Sequence, residues 1–377
     1  MGKPLEVFLL FLRFGFTSFG GPLAHVALFE EEFVKKRSWL SRDSFLHHLA
    51  ITQMIPGPNS TELSMQIGYA RAGWVGFFLA GIAFILPAAV MVSILGWLYV
   101  QGGGFLGVAQ WVWGATPVVT AVIVAMLFRT ARTAFSPGKI MVPACFGFAL
   151  YLMSAPMWTA LMAAAGMWLL FFRRLPIHSS IAFLLAVPAF FPFDFAHTLP
   201  SGLPTVPSLF AQMLYLGSIV LGSGYVLFSY YSAHIVDRLH WFDPNGLAMA
   251  IAAGQLTPGP LFASAAFFGQ VLQGVPGAIA CTVGIFLPSF LFSALSIFFT
   301  RKMEKSLWWA STLQVLGALC ILIMGREVIR FLPLYINGIP AFCLFAAALV
   351  AHLRFRVNTT ALILLGAAAG AILTHFS

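Results

Sequence analysis

Pro56-Gly57-Pro58 and Pro258-Gly259-Pro260 each put two residues without a backbone N–H inside an apolar run. Such a tripeptide breaks a helical ladder. The half-helix that restarts after it begins with unpaired N–H groups at the positive end of its dipole. That is a ready site for an anion. After the first break these groups belong to Asn59, Ser60 and Thr61; after the second, to Leu261, Phe262 and Ala263. Gln53 and Gln255 stand at matching positions before the breaks, and Thr61 and Thr257 add hydroxyls. With Gly57 and Gly259 in the breaks, these residues are candidates to hold an oxyanion. Most of the polar side chains come from the first break, so the site should be asymmetric. The plainer reading is that each tripeptide only kinks a packed helix.

A second pair of breaks lies earlier in each half. Ser18, Gly20 and Gly21 mark the first, Gly222 and Ser223 the second. They serve either ligand contact or close helix packing, since small residues suit both. Arg13 sits inside an apolar run and could balance a divalent anion, or else snorkel to the interface. Glu62 is the only carboxylate beside a Pro-Gly-Pro break, and Ser264 takes its position in the second half. It is a candidate proton carrier, because its protonation changes the local charge by one unit; alternatively it is a first-turn carboxylate favoured by the helix dipole. His25 is a proton relay or a packed histidine.

The elements that position these residues follow from composition. The 377 residues are 60% hydrophobic and 8% charged, against about 25% charged in a soluble domain. Soluble enzyme, disordered scaffold and nucleic-acid binder are therefore excluded for the whole chain. The net charge of +9 fits the basic inside loops of a polytopic membrane protein. Cys145, Cys281, Cys320 and Cys343 have no disulfide or metal-ligand spacing, so neither metal nor cofactor is expected. HExxH, GxSxG and paired intramembrane acids are absent, which argues against an enzyme. The first apolar run contains Arg13 and ends in Gly20-Gly21-Pro22, so no cleavable signal peptide is expected.

The chain repeats itself. The Gln-x-x-Pro-Gly-Pro motif recurs at an offset of 202, as do Gly15 on Gly217, Gly20 on Gly222 and Trp39 on Trp241. An offset of 201 relates Gly73 to Gly274, Gly76 to Gly277 and Leu86-Pro87 to Leu287-Pro288. An ordered motif set in one register indicates duplication. The expected domains are 1–193 and 208–377, joined by a proline-rich linker at 194–207. Each half holds a long first segment, a Pro-Gly-Pro hairpin flanked in the first half by Arg42 and Arg71, and further spans. If 181–193 does not cross, the number of spans per half is odd and the repeats are inverted. About three quarters of the Lys and Arg, 15 of 20, then fall inside, against 13 for parallel repeats, the alternative arrangement. The expected fold is an all-α polytopic membrane protein of about ten transmembrane helices plus two broken hairpins.

One ordered set carries a family likeness: Phe14-Gly15-Phe16-Thr17-Ser18-Phe19-Gly20-Gly21-Pro22-x-Ala24-His25, Trp39-Leu40, Gln53-x-x-Pro56-Gly57-Pro58, Gly73-x-x-Gly76 and Leu86-Pro87. It resembles the chromate ion transporter family of the long, two-domain type, and the second half repeats it in weaker form. The resemblance implies a plasma-membrane secondary transporter that exports chromate, a sulfate-like oxyanion, in antiport with protons. It also implies opposed domain orientations. Gly224 and Leu227 replace the Pro22 and His25 of the first half, so His25 has no symmetric partner. The rival reading is a passive oxyanion channel or uniporter for sulfate-like anions. Expected partners are the anion, protons and the lipid bilayer, with no nucleic acid; a homodimer is compatible with either reading.

Overall fold

The computed structural model describes residues 2–19, 21–52, 55–101, 108–134, 138–153, 157–169, 203–220, 226–303, 307–336, 338–355 and 357–375. Every regular element among them is helical. An apolar chain in lipid can satisfy its backbone only internally, and helices do so within one segment.

The first half comprises α1 (Lys3–Thr17), α2 (Gly21–Phe29) running into a π-helical stretch (Glu30–Lys36), α3 (Arg42–Thr52), α4 (Asn59–Gln101), α5 (Val108–Ala134), α6 (Gly138–Leu152) and α7 (Met157–Met167). The second comprises α8 (Val206–Ile219), α9 (Val226–Tyr231) running into a π-helical stretch (Ser232–Val236), and α10 (Pro244–Leu256). A 3₁₀ turn (Leu261–Ser264) leads into α11 (Ala265–Met303), followed by α12 (Leu307–Tyr335), α13 (Ile339–Phe355) and α14 (Thr359–His375). Segment 181–193 and most of the linker lie outside the described residues; α8 starts behind a capping box of Thr205 and Ser208.

The same backbone devices occur in both halves. Ser38 and His240 both have φ 52°. α4 is interrupted at Ala72 and Gly73 (φ 61°, ψ −151°), and α11 at Gln273 and Gly274 (φ 63°, ψ −152°). At each interruption the chain folds back on itself. A Cβ on Gly68 would lie 2.3 Å from the Gly76 carbonyl oxygen, and one on Gly269 would lie 2.1 Å from that of Gly277. In a continuous helix such pairs would stand about 12 Å apart.

α4 is therefore a short arm, residues 59–71, packed against a long arm, residues 74–101. The long arm spans about 42 Å; the short arm, about 20 Å, is too short for a bilayer core. Together with α3 it forms a hairpin whose two ends meet at one end of the molecule. Arg71 bonds Glu6 at 2.8 Å, and Arg37 bonds Glu6 at 3.0 Å and Glu32 at 2.6 Å. Arg42 lies 3.7 Å from Glu30, and the Arg71 guanidinium covers the Trp39 ring at 4.8 Å.

Among the described residues, two helical stretches, Asn59–Gln101 and Leu261–Ile297, are both long and apolar enough to cross a membrane. Trp113–Ala125, Ile140–Leu152, Val206–Ile219, Val226–Val236, Ile339–Phe355 and Thr359–Leu373 are apolar but shorter. Among the described residues, length and composition thus mark two of the ten crossings expected. Phe78, Ile82, Leu86, Val90, Ile94 and Trp97 lie on one exposed face of α4, and Val275, Ile279, Val283 and Leu287 on one of α11. Continuous apolar faces of this extent belong in lipid.

Candidate anion and proton site

The Pro-Gly-Pro breaks cross between the halves. Gly57 donates its N–H to the Val220 carbonyl at 2.9 Å, and Gly259 donates to the Ser18 carbonyl at 2.9 Å. Ser18 and Val220 are the residues on which α1 and α8 end, both extended (ψ 90° and 111°). Each first-segment end thus exposes a carbonyl that the other half's break caps. Gly57 also abuts Ser289 of α11, and Gly259 abuts Ala88 of α4.

The half-helix after the first break starts as the sequence suggests. Thr61 and Glu62 N–H both bond the Pro58 carbonyl, at 2.8 and 3.3 Å. The Asn59 and Ser60 N–H groups stand ahead of that first ladder bond. In the second half Ala263 N–H bonds Pro260 at 2.9 Å, with Leu261 and Phe262 ahead of it. The N–H groups of Thr61 and Ala263 are therefore engaged in their own turns, and the open donors reduce to two per break.

Side chains near the breaks are buried and many lack partners. Among the described residues, Ser18 Oγ, Asn59 Oδ1, Thr61 Oγ1, both Glu62 oxygens and both polar atoms of the Gln255 amide have no hydrogen bond. Buried polar groups are normally paired, so a concentration of unpaired ones marks a place where something polar binds. Glu62 is fully buried, and its Oε1 and Ser289 Oγ reach the same point beside Gly57, 2.3 and 2.4 Å from where a Cβ would stand. Thr257 instead donates its hydroxyl to Ala253 in its own helix at 3.0 Å. Leu261, Phe262 and Ala263 are buried and apolar.

His25 is buried edge-on to Phe84 with ring centroids 5.3 Å apart, and its Nε2 donates to the Ser18 carbonyl at 3.0 Å. It therefore braces the same oxygen that receives the Gly259 N–H; its Nδ1 has no partner among the described residues. Arg13 is exposed on α1, whose buried face is Val7, Leu10, Phe11, Phe14 and Gly15, so it stands apart from the buried cluster. Gly21 is buried at φ 76° where α2 begins. Gln53, Gly20, Gly222 and Ser223 lie outside the described residues. Sequence reasoning passed over Ser289 and Ser293 of α11, both fully buried with unpaired hydroxyls. Their four-residue spacing in an apolar run was the available signal.

The chromate transporter family model matches residues 5–189 and 207–371. The chain belongs to that family. A chromate transport protein of Cupriavidus metallidurans is 27% identical over 96% of this chain and 91% of its own length. A probable chromate transport protein of Synechococcus elongatus is 26% identical over 88% and 87%. A chromate transport protein of Pseudomonas aeruginosa is 28% identical over 78% and 73%. No solved structure matches this chain. Family membership makes the chain a transport protein of the membrane and not an enzyme. An unpaired threonine hydroxyl at a chromate transporter's helix break has a direct test. Thr61→Val should weaken chromate binding about tenfold, the worth of one hydrogen bond to a charged group, measured by titration of purified protein.

Proposed function

We propose that this protein is a secondary active transporter that exports chromate or a related oxyanion across the plasma membrane in antiport with protons. The observation that carries the reading is the set of buried, unpaired polar groups at two helix breaks, each break capping the other half's first helix, with Glu62 among them. The anion is held by the N–H groups at Asn59, Ser60, Leu261 and Phe262, with Ser18, Thr61, Gln255 and Thr257 around it. Backbone dipoles and neutral donors replace its lost water, as a chain with so few charges requires. Glu62 supplies the charge change through which a proton gradient acts on the anion.

The proposed architecture is two inverted repeats, 1–193 and 208–377, crossing the membrane many times. The packing of equivalent helices supports inversion. Phe78 stacks on Phe290 with centroids 6.0 Å apart, while Gly96 abuts Gln270 just ahead of the α11 long arm. The two long arms thus run antiparallel, as a pseudo-twofold axis in the membrane plane requires.

The test is chromate uptake into inverted membrane vesicles. An acidic lumen should accelerate uptake and a neutral one should not. Uptake indifferent to the gradient in a folded preparation would sink the coupling, and acceleration by acid on the chromate side would mean symport. Flux linear in voltage without saturation would identify a channel.

A further inference from the structure

The polar cluster continues away from the break along one path. Ser289, Ser293 and Ser296 are spaced four and three residues apart, so they line one face of α11 over about 10 Å. Glu62 and Gln66, one turn apart, line the facing short arm of α4. Glu62 Oε1 and Ser289 Oγ both lie beside Gly57, and Gln66 donates through Nε2 to Ser296 Oγ at 3.2 Å. Ser296 donates in turn to the Ser293 carbonyl at 2.7 Å. The Gln66 amide oxygen accepts from His48 Nδ1 at 2.8 Å, which leaves Nε2 as the basic nitrogen of that ring. His48 is half-buried on α3, beside His47 with ring centroids 5.8 Å apart. α3 begins at Arg42, at the end of the molecule that carries Glu6, Arg37 and Arg71.

Among the described residues, the equivalent positions on the opposite side form no such ladder. The positions equivalent to Ser289, Ser293 and Ser296 are Ala88, Val92 and Leu95. Gln66 falls on Phe267 at the 201 offset and on Phe268 at 202; His48 falls on Ala250. Ser264, in the place of Glu62, donates its hydroxyl to Leu261 at 2.8 Å. Along this line the two sets of equivalent positions have thus diverged from polar to apolar. Fully buried hydroxyls without partners are costly unless water or a proton carrier uses them.

The geometry points to a one-sided proton route from Glu62 along Ser289, Ser293 and the Ser296–Gln66 pair to His48. Glu62 and His48 carry the proton. The serines and the amide hold the water along which it passes, since neither accepts a full charge. Deprotonation of Glu62 and protonation of His48 Nε2 balance, and His48 then releases the proton to solvent. The route opens at the end that the basic residues assign to the cytoplasm, which suits proton entry in exchange for an exported anion. It rests on the proton-coupled reading above and names the path within it.

The test uses purified protein in liposomes with a trapped pH-sensitive dye, following chromate flux and proton movement together. Ser293→Ala combined with Gln66→Leu, and separately His48→Leu, should slow proton movement about tenfold or more, the scale of losing a positioned proton-transfer group. External imidazole should restore the His48→Leu rate. Val92→Thr, on the apolar side, should leave it unchanged. Wild-type protein that moves chromate without protons would overturn both the coupled reading and the route. Coupled wild-type flux with unaltered proton movement in both monodisperse variants would overturn the route alone.

Discussion

Glu62→Gln should abolish the response of chromate uptake to a pH gradient while the protein still exchanges chromate down its own gradient. A two-unit pH gradient is worth about 2.7 kcal/mol per proton, or about a hundredfold accumulation at one proton per anion. The variant should accumulate no chromate above equilibrium under that gradient, measured with labelled chromate in inverted vesicles. The reason is local. Glu62 is fully buried beside a break, and neither oxygen has a partner among the described residues. A change in its charge is therefore not absorbed by a neighbouring ion pair, unlike at Glu6, which sits between Arg37 and Arg71. Glutamine keeps the shape and some hydrogen bonding but cannot change charge. Gradient-driven accumulation at the wild-type level in Glu62→Gln would remove Glu62 from the coupling.

The second large effect is on stability. Gly57→Ala should lower the unfolding midpoint in detergent by several degrees and abolish transport. The added methyl would lie 2.3 Å from Glu62 Oε1 and 2.4 Å from Ser289 Oγ. Gly57 also holds φ 132°, where a side chain is strained, and its N–H caps Val220. Overpacking costs about 1–3 kcal/mol, and a left-handed backbone adds roughly 1–2. Gly73→Ala separates these causes. Gly73 has φ 61° but nothing within 4 Å of a Cβ, so only the strain remains. The pair should differ by the overpacking cost; equal midpoints would mean that the Glu62 and Ser289 oxygens beside Gly57 do not constrain the break.

Much of this was legible in the chain. The Pro-Gly-Pro breaks follow from missing N–H donors, and the half-helix starts appear where expected. The offset of 202 seen in Gln-x-x-Pro-Gly-Pro is met again in the Ser38 and His240 backbones, and the offset of 201 in the turns at Gly73 and Gly274. Other features were hidden. Sequence numbering aligns Gly57 with Gly259 but cannot say that each would cap the other half's first helix. Arg13 reads as a charge inside an apolar run, yet the rotation of α1 leaves it exposed. Gly73 and Gly76 read as a duplicated motif, whereas folding makes them the turn and the backbone contact between the two arms of α4.

The sequence by itself determined the solvent, the helical class and the places where helices must stop, because those depend on composition and on residues that cannot donate a hydrogen bond. Only the tertiary structure decided which unpaired groups face one another. Glu62 and Ser289 are more than two hundred residues apart. They lie beside the same glycine because α4 and α11 fold back at glycines and pack antiparallel, and their oxygens are buried there without partners among the described residues.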